Sequence, residues 1–263
     1  MFHIWRTFPW WLLVACAVTG WFMVAIVTDE MYAQILATLA KGIRITIFVT
    51  VVSFTLASLL GLLLAVCVLS NSVILRQTAR FYIEIMRGIP ILVLLFYIAF
   101  VGAPALVGLI NAITTPLGFE EMQTRDLSLM WRAILALTLG YASFIAEVFR
   151  AGIQSVDQGQ LEAARALGLT PWQRFRLITL PQAIRTILPP LGNDFIALIK
   201  DSSLVSVLGV ADITQLGKIY ASGSFRYFET YNVVAIIYLI MTVGLSLALR
   251  GLERRMRADR DRK

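Results

Sequence analysis

The chain has 263 residues, 59% of them hydrophobic and 15% charged, with a formal net charge of +7. A soluble domain carries about 25% charged residues, so the composition is that of an integral membrane protein, with room for about five or six spans and no large soluble domain. The positive balance lies in segments flanking apolar runs, where membrane topology accounts for it, and no basic groove interleaved with aromatics points to nucleic acid.

Residues 9–27 form a continuous apolar run of spanning length. The run is longer than a signal-peptide core, no A-x-A-like site closes it, and Trp10, Trp11 and Trp21 suit a membrane interface. It reads as a retained span. Residues 28–41 read as a short connection carrying Asp29 and Glu30, and residues 43–69 as the second span, with Ser53, Thr55, Ser58 and Gly61 offering small surfaces for close helix packing. Residues 71–80 read as a polar loop and residues 83–101 as the third span. Glu84 and Arg87 share a helix face there and suit an ion pair at the membrane edge, ahead of a Pro90 kink. A place along a substrate path is the alternative for both. Residues 102–128 read as a long acidic loop with Glu120, Glu121 and Asp126. Residues 129–149 read as the fourth span, with Arg132 placed to snorkel and with Glu147 near the far end, either paired with Arg150 or acting at membrane depth.

Residues 155–181 are polar but patterned. Asp157 followed by Gln160 is a capping-box spacing, so a helix starts near Gln158. Residues 162–167 are good helix formers, and Gly168 sits where a left-handed C-terminal cap is wanted. Thr170-Pro171-Trp172-Gln173 is a second start, with Thr as N-cap and Pro at the first helical position. Trp172, Phe175 and Ile178 give the second helix an apolar face, and Pro181 ends it. Two short helices joined at a glycine make a docking element on the membrane surface; a bare amphipathic surface helix is the alternative. Residues 182–201 then read as a fifth span of unusual kind. Pro189-Pro190 interrupts its hydrogen-bond ladder, and Asn193, Asp194, Lys200 and Asp201 make it polar. A broken polar helix is tolerated where it lines a water-filled path, which makes Asn193, Asp194 and Lys200 translocation-path candidates alongside Glu84, Arg87 and Glu147. Exposure at the far interface is the alternative for Lys200 and Asp201. Residues 202–229 read as an outer segment with short helices, residues 230–249 as the last span, and the remainder as a basic tail.

Six spans put both termini on one side. That side holds Arg6, Arg76, Arg80, Arg87, Arg150, Arg165, Arg174, Arg176, Arg185, Arg250, Arg254, Arg255, Arg257, Arg260, Arg262 and Lys263, against Lys41, Arg44, Arg125, Lys218 and Arg226 on the other. The bias makes both termini and the 155–181 stretch cytoplasmic. The chain has no G-x-x-x-x-G-K-[ST] phosphate cradle, no G-x-S-x-G, and a single histidine, His3, so no H-E-x-x-H. Cys16 and Cys67 lie in apolar runs and read as packing residues. A membrane-embedded enzyme lacks a converging set of reactive groups.

Glu162-Ala163-Ala164, then Gly168, then Ile178-x-Leu180-Pro181, resembles the EAA motif of ABC importer permeases. Residues 141–214 and 81–100 look like the polar amino acid branch of that family, of the histidine/glutamine permease type, and the similarity covers roughly residues 35–257. The resemblance implies an all-α integral membrane protein of about six transmembrane helices. One extra N-terminal span (1–34) would precede a five-helix type I ABC importer permease domain (35–250), followed by a cytoplasmic tail (251–263). It implies that Glu162, Ala163, Ala164 and Gly168 dock a coupling helix on a separate ATPase, with Arg165 and Arg174 as charge partners. It implies no catalytic residue, metal or cofactor in this chain, ATP and Mg being bound by the ATPase subunits. The implied partners are those ATPases, a second permease subunit, identical or paralogous, an extracytoplasmic solute-binding protein, and membrane lipid. The expected activity is ATP-driven import of a polar amino acid across the bacterial inner membrane by alternating access. An opine or another small polar nitrogen compound is the alternative substrate, and a non-transporting scaffold or sensor the alternative role.

Overall fold

The computed structural model describes residues 10–258. His3, Arg6, Arg260, Arg262 and Lys263 lie outside the described residues. Helices fill nearly all of the chain, and no strand occurs among the described residues. In lipid nothing outside the chain satisfies a backbone N–H or C=O, so apolar runs of this length close their hydrogen bonds within helices.

Helix α1 (Trp10–Thr28) covers the first expected span, and α2 (Glu30–Leu69) runs for 40 residues. The connection expected over 28–41 is therefore mostly helix. Asp29 starts it early: its carboxylate accepts the Met31 N–H at 2.9 Å, and Glu30 places negative charge in the first turn. Likewise, the loop expected over 71–80 is the first half of α3 (Val73–Gly88), an amphipathic helix with Ala79 and Ile83 buried and Ile74 and Phe81 exposed. Pro90 ends it by forcing Ile89 into extended backbone (φ −93°, ψ 127°). Glu84 and Arg87 thus belong to α3, and the third apolar span starts after them. It comprises α4 (Ile91–Tyr97), a π-helical turn (Ile98–Gly102), α5 (Ala103–Thr114) and a last 3-10 turn (Thr115–Leu117). The long loop expected over 102–128 shrinks accordingly. Gly118, in the left-handed region at φ 86°, turns the chain. Asn111 then holds the loop, donating to the Met122 carbonyl at 2.8 Å and accepting the Met122 N–H at 2.9 Å.

Ser128 caps α6 (Leu129–Gln154). Arg132 does not snorkel: its guanidinium donates to the carbonyls of Leu127 (2.8 Å), Ala99 (3.1 Å) and Thr124, tying the loop and the π-helical turn to α6. Then follow α7 (Gln158–Ala166), α8 (Pro171–Arg174), a second π-helical turn (Phe175–Thr179) and α9 (Leu180–Asp201). Pro181 does not end the second short helix. It lies in the first turn of α9, directly after the π turn, and the backbone stays helical from α8 through the π turn into α9. The expected break at Pro189-Pro190 is also absent, and α9 continues to Asp201 along α6, its most extensive neighbour. Neighbouring helices keep a proline-containing membrane helix in place. A 3-10 run (Ser202–Leu208), α10 (Ile213–Ser224) and α11 (Tyr227–Ala258) complete the chain.

Among the described residues four helical stretches are long and apolar enough to cross a membrane: Glu30–Leu69, Ile91–Leu117, Leu129–Gln154 and Tyr227–Leu252. The polar α9 is not one of them. The helices form two compact units. One takes the chain up to Ile45 together with Ala211–Met241; the other takes Thr46–Val210 and the chain from Thr242. In the second unit α6 is the centre, contacting α3, α4 and α9, with Ala133, Ala136, Gly140, Ala142 and Ala146 keeping its surface low. Small residues are what close helix packing in lipid requires. The first unit has its own core of Tyr32, Ile35, Leu39, Ile213, Val233, Val234 and Ile237. Fully buried Asp212 caps α10 through the Gln215 N–H (2.8 Å) and accepts the Tyr238 hydroxyl (3.1 Å), while burial pushes its carboxyl above the usual carboxylate range.

Gly42 packs directly against this corner. A Cβ there would lie 2.5 Å from the Ile213 nitrogen and 2.6 Å from the Asp212 carbonyl carbon. Gly42→Ala is expected to destabilise the protein by about 1–3 kcal/mol, read as a lower Tm in detergent, because backbone rather than a flexible side chain must yield. An unchanged Tm would mean that the corner is loosely packed.

Candidate functional site

The stretch between α6 and α9 is built from its caps. The Asp157 carboxylate accepts the Gln160 N–H at 3.1 Å and opens α7. Gly168, at φ 76°, closes it: the Gly168 N–H bonds the Arg165 carbonyl (2.9 Å) and the Leu169 N–H the Ala164 carbonyl (3.1 Å). This is the Schellman arrangement, which needs a left-handed residue at the glycine position. The box at the start of α8 is complete: the Gln173 N–H bonds the Thr170 hydroxyl at 3.3 Å, and the Thr170 N–H bonds Gln173 Oε1 at 2.8 Å. Trp172 and Phe175 stack with ring centroids 5.9 Å apart.

Burial sorts the residues of this stretch. Val156 and Ala164 are buried and fix α7 to its unit. Glu162, Ala163 and Arg165 are exposed, Arg174 is half-buried, and Leu167 (80% exposed), Trp172 (66%) and Leu177 (62%) present large apolar side chains outward. Ala164 therefore faces inward, while its neighbours and Gly168 are the accessible part of the motif. An exposed set of Leu, Trp and Leu beside opposite charges is a surface suited to a protein partner.

The path candidates do not converge on one point. Glu84 and Arg87 are both exposed and do not pair; the Arg87 guanidinium lies over the Phe144 ring, 5.7 Å from its centroid. Among the described residues the ion pair is Glu147–Arg150, at 2.6 Å, and Arg150 also donates to Gln154 Oε1 at 2.6 Å. Asn193 and Lys200 are exposed. Asp194 is half-buried, with its Oδ2 fully enclosed and lacking a partner. Asp201 accepts the hydroxyl of buried Tyr141 at 2.7 Å, joining α6 to the end of α9. Tyr141 is a polar contact that the sequence reading missed. Its signal was a phenol inside an apolar span, since a buried Tyr hydroxyl finds a partner.

Residues 57–258 match the family described as "Binding-protein-dependent transport system inner membrane component". The chain is 41% identical over 219 residues to the probable amino-acid permease protein YxeN of Bacillus subtilis, covering 83% of this chain and 91% of that protein. It is 35% identical over 219 residues to the glutamine transport system permease protein GlnP of Escherichia coli, covering 83% and 93%. A crystal structure of an amino acid ABC transporter with histidines aligns over 85% of this chain and 96% of that chain, with 36% identity and a TM-score of 0.70.

The Gly168 turn has open space around it, so its requirement is conformational rather than steric. Gly168→Val is expected to cost about 1–2 kcal/mol locally, read as roughly tenfold faster amide exchange over 158–174, while Gly168→Asn retains most of the protection. Equal exchange in all three proteins would show that the left-handed turn is not needed.

Proposed function

The chain belongs to the family of binding-protein-dependent transport system inner membrane components, and on that premise we propose that it is the permease subunit of an ATP-driven importer of a polar amino acid. It is a multi-pass inner membrane protein; on the charge bias of its loops, both termini and the 155–181 stretch are cytoplasmic. The observation that carries the reading is the doubly capped pair α7–α8 with the π turn that follows it, lying between two long helices and presenting Leu167, Trp172 and Leu177 outward.

In this reading the pair docks on a separate ATPase subunit. The sequence has no phosphate cradle, so ATP and Mg bind to that partner and not to this chain. Glu162, Arg165 and Arg174 supply charge at the contact, Ala163 allows close approach, and Gly168 sets the angle between the two short helices. Closure of two ATPase subunits on ATP displaces the pair, and alternating access follows in the span helices. A second permease subunit, identical or paralogous, completes the path, and an extracytoplasmic solute-binding protein delivers the substrate. The half-buried Asp194 carboxylate and the polar face of α9 are the chemistry offered along that path, with Asn193 and Lys200 on exposed flanks. The relatives named as glutamine and amino-acid permeases support the substrate class.

The test is uptake in proteoliposomes holding the chain with its ATPase and binding protein, using labelled L-glutamine, L-arginine and L-cystine. ATP-dependent uptake of one of them is expected, falling by about tenfold or more in Glu162→Lys, as for a charge reversed at a docked interface. A complex that hydrolyses ATP but moves none of the three would contradict the amino acid reading. Failure of any ATPase to co-purify would contradict the coupling reading.

A further inference from the structure

A push on α7 reaches the helices behind it by three routes. One runs back through Ser155, Val156 and Asp157 into α6. A second runs forward through Gly168, α8 and the π-helical turn Phe175–Thr179 into α9. The forward route is the longer one and passes two changes of backbone geometry: the left-handed turn at Gly168 and the π turn, a widened, irregular piece of helix. The third route is direct. Gln182 Nε2 donates to Gln160 Oε1 at 2.6 Å, joining the first turn of α7 to the first turn of α9 across 22 residues of sequence. One helical turn further along α9, the Ser155 hydroxyl reaches the Thr186 hydroxyl at 3.3 Å.

The use made of Gln160 is the informative part. Asp157-x-x-Gln160 and Thr170-x-x-Gln173 are the same capping pattern. At the second, Gln173 folds back to the N–H of its own N-cap. At the first, only the Asp157 half of the box forms, and the Gln160 side chain goes instead to α9. A local cap contact has given way to a tertiary one. Two surface amides add little to folding stability, so the position of the bond matters more than its strength. It bypasses both the Gly168 turn and the π turn.

Resting on the permease reading above, we propose that the Gln160–Gln182 hydrogen bond, backed by Ser155–Thr186, is a latch that carries displacement of α7 directly into α9. Both glutamines are positioning residues: they touch neither nucleotide nor substrate. Because the contact is neutral and shallow, breaking it leaves the complex assembled and hydrolysing ATP, and what falls is the movement obtained per ATP.

The assembled transporter tests this in vesicles, with uptake and ATP hydrolysis measured together. Gln160→Leu and Gln182→Leu are each expected to lower the amount moved per ATP by about threefold to tenfold. Gln160→Glu combined with Gln182→Lys, which rebuilds the contact as an ion pair, is expected to restore it. Single variants with the wild-type ratio would overturn the latch, and so would losses that the paired exchange does not repair. A second readout is independent of the substrate. In the full complex, ATP is expected to change amide exchange in both α7 and α9; in Gln160→Leu the α7 response persists and the α9 response is lost. An α9 response that survives overturns the latch whatever the uptake shows, whereas wild-type vesicles that move no amino acid count against the substrate reading alone.

Discussion

Backbone hydrogen bonding in a medium without water is the constraint from which the rest of this structure follows. It turns every apolar run into helix and carries α2 from Glu30 to Leu69 without a break. It also explains the places where the ladder is irregular. At the π-helical turn Ile98–Gly102 the Arg132 guanidinium takes up the Ala99 carbonyl, and at the start of α6 the same side chain satisfies the Leu127 and Thr124 carbonyls. Pro189 and Pro190 remove two donors from α9, yet the helix persists where it lies along α6.

Outside the apolar runs the same constraint appears as capping. The 155–181 stretch has few apolar contacts to hold it, and its shape comes from how its helix ends are closed. Asp157, Gly168 and Thr170 each satisfy end groups of α7 or α8. Val156, Ala164 and Thr179 are its buried residues, and they fix the stretch in place. The result is a small rigid body with its apolar side chains turned outward, joined to α6 and α9 at its two ends. Such a body suits the transmission of force between a soluble motor and a membrane bundle. Its contacts with the bundle are few enough to be altered one at a time.

Much of this was legible in the residues. Both caps, the glycine turn and the second start at Thr170 were readable because they depend on short-range chemistry at fixed spacing. The Glu147–Arg150 pair was readable for the same reason. Boundaries that depend on tertiary support were not. Residues 28–41 looked like a connection because they carry charges, but Asp29 acts as a cap and the following residues are strong helix formers. Residues 71–80 looked like a loop because half of α3 is polar, a property that an amphipathic helix shares with a loop in any short window. The Glu84–Arg87 pairing failed because spacing says which side chains share a face, not which neighbour lies closest; Phe144 of α6 takes the guanidinium. Tyr141–Asp201 and Gln160–Gln182 each join residues far apart in sequence, and no local pattern announces them.

The central claim is that the exposed side of α7–α8 is a docking surface for a separate ATPase. A photoreactive residue placed at Leu167, and as a control at Phe225, would test it most directly in cells that co-express the ATPase. The account predicts that position 167 captures the ATPase and that position 225 does not. Capture at neither position, or equal capture at both, would contradict it.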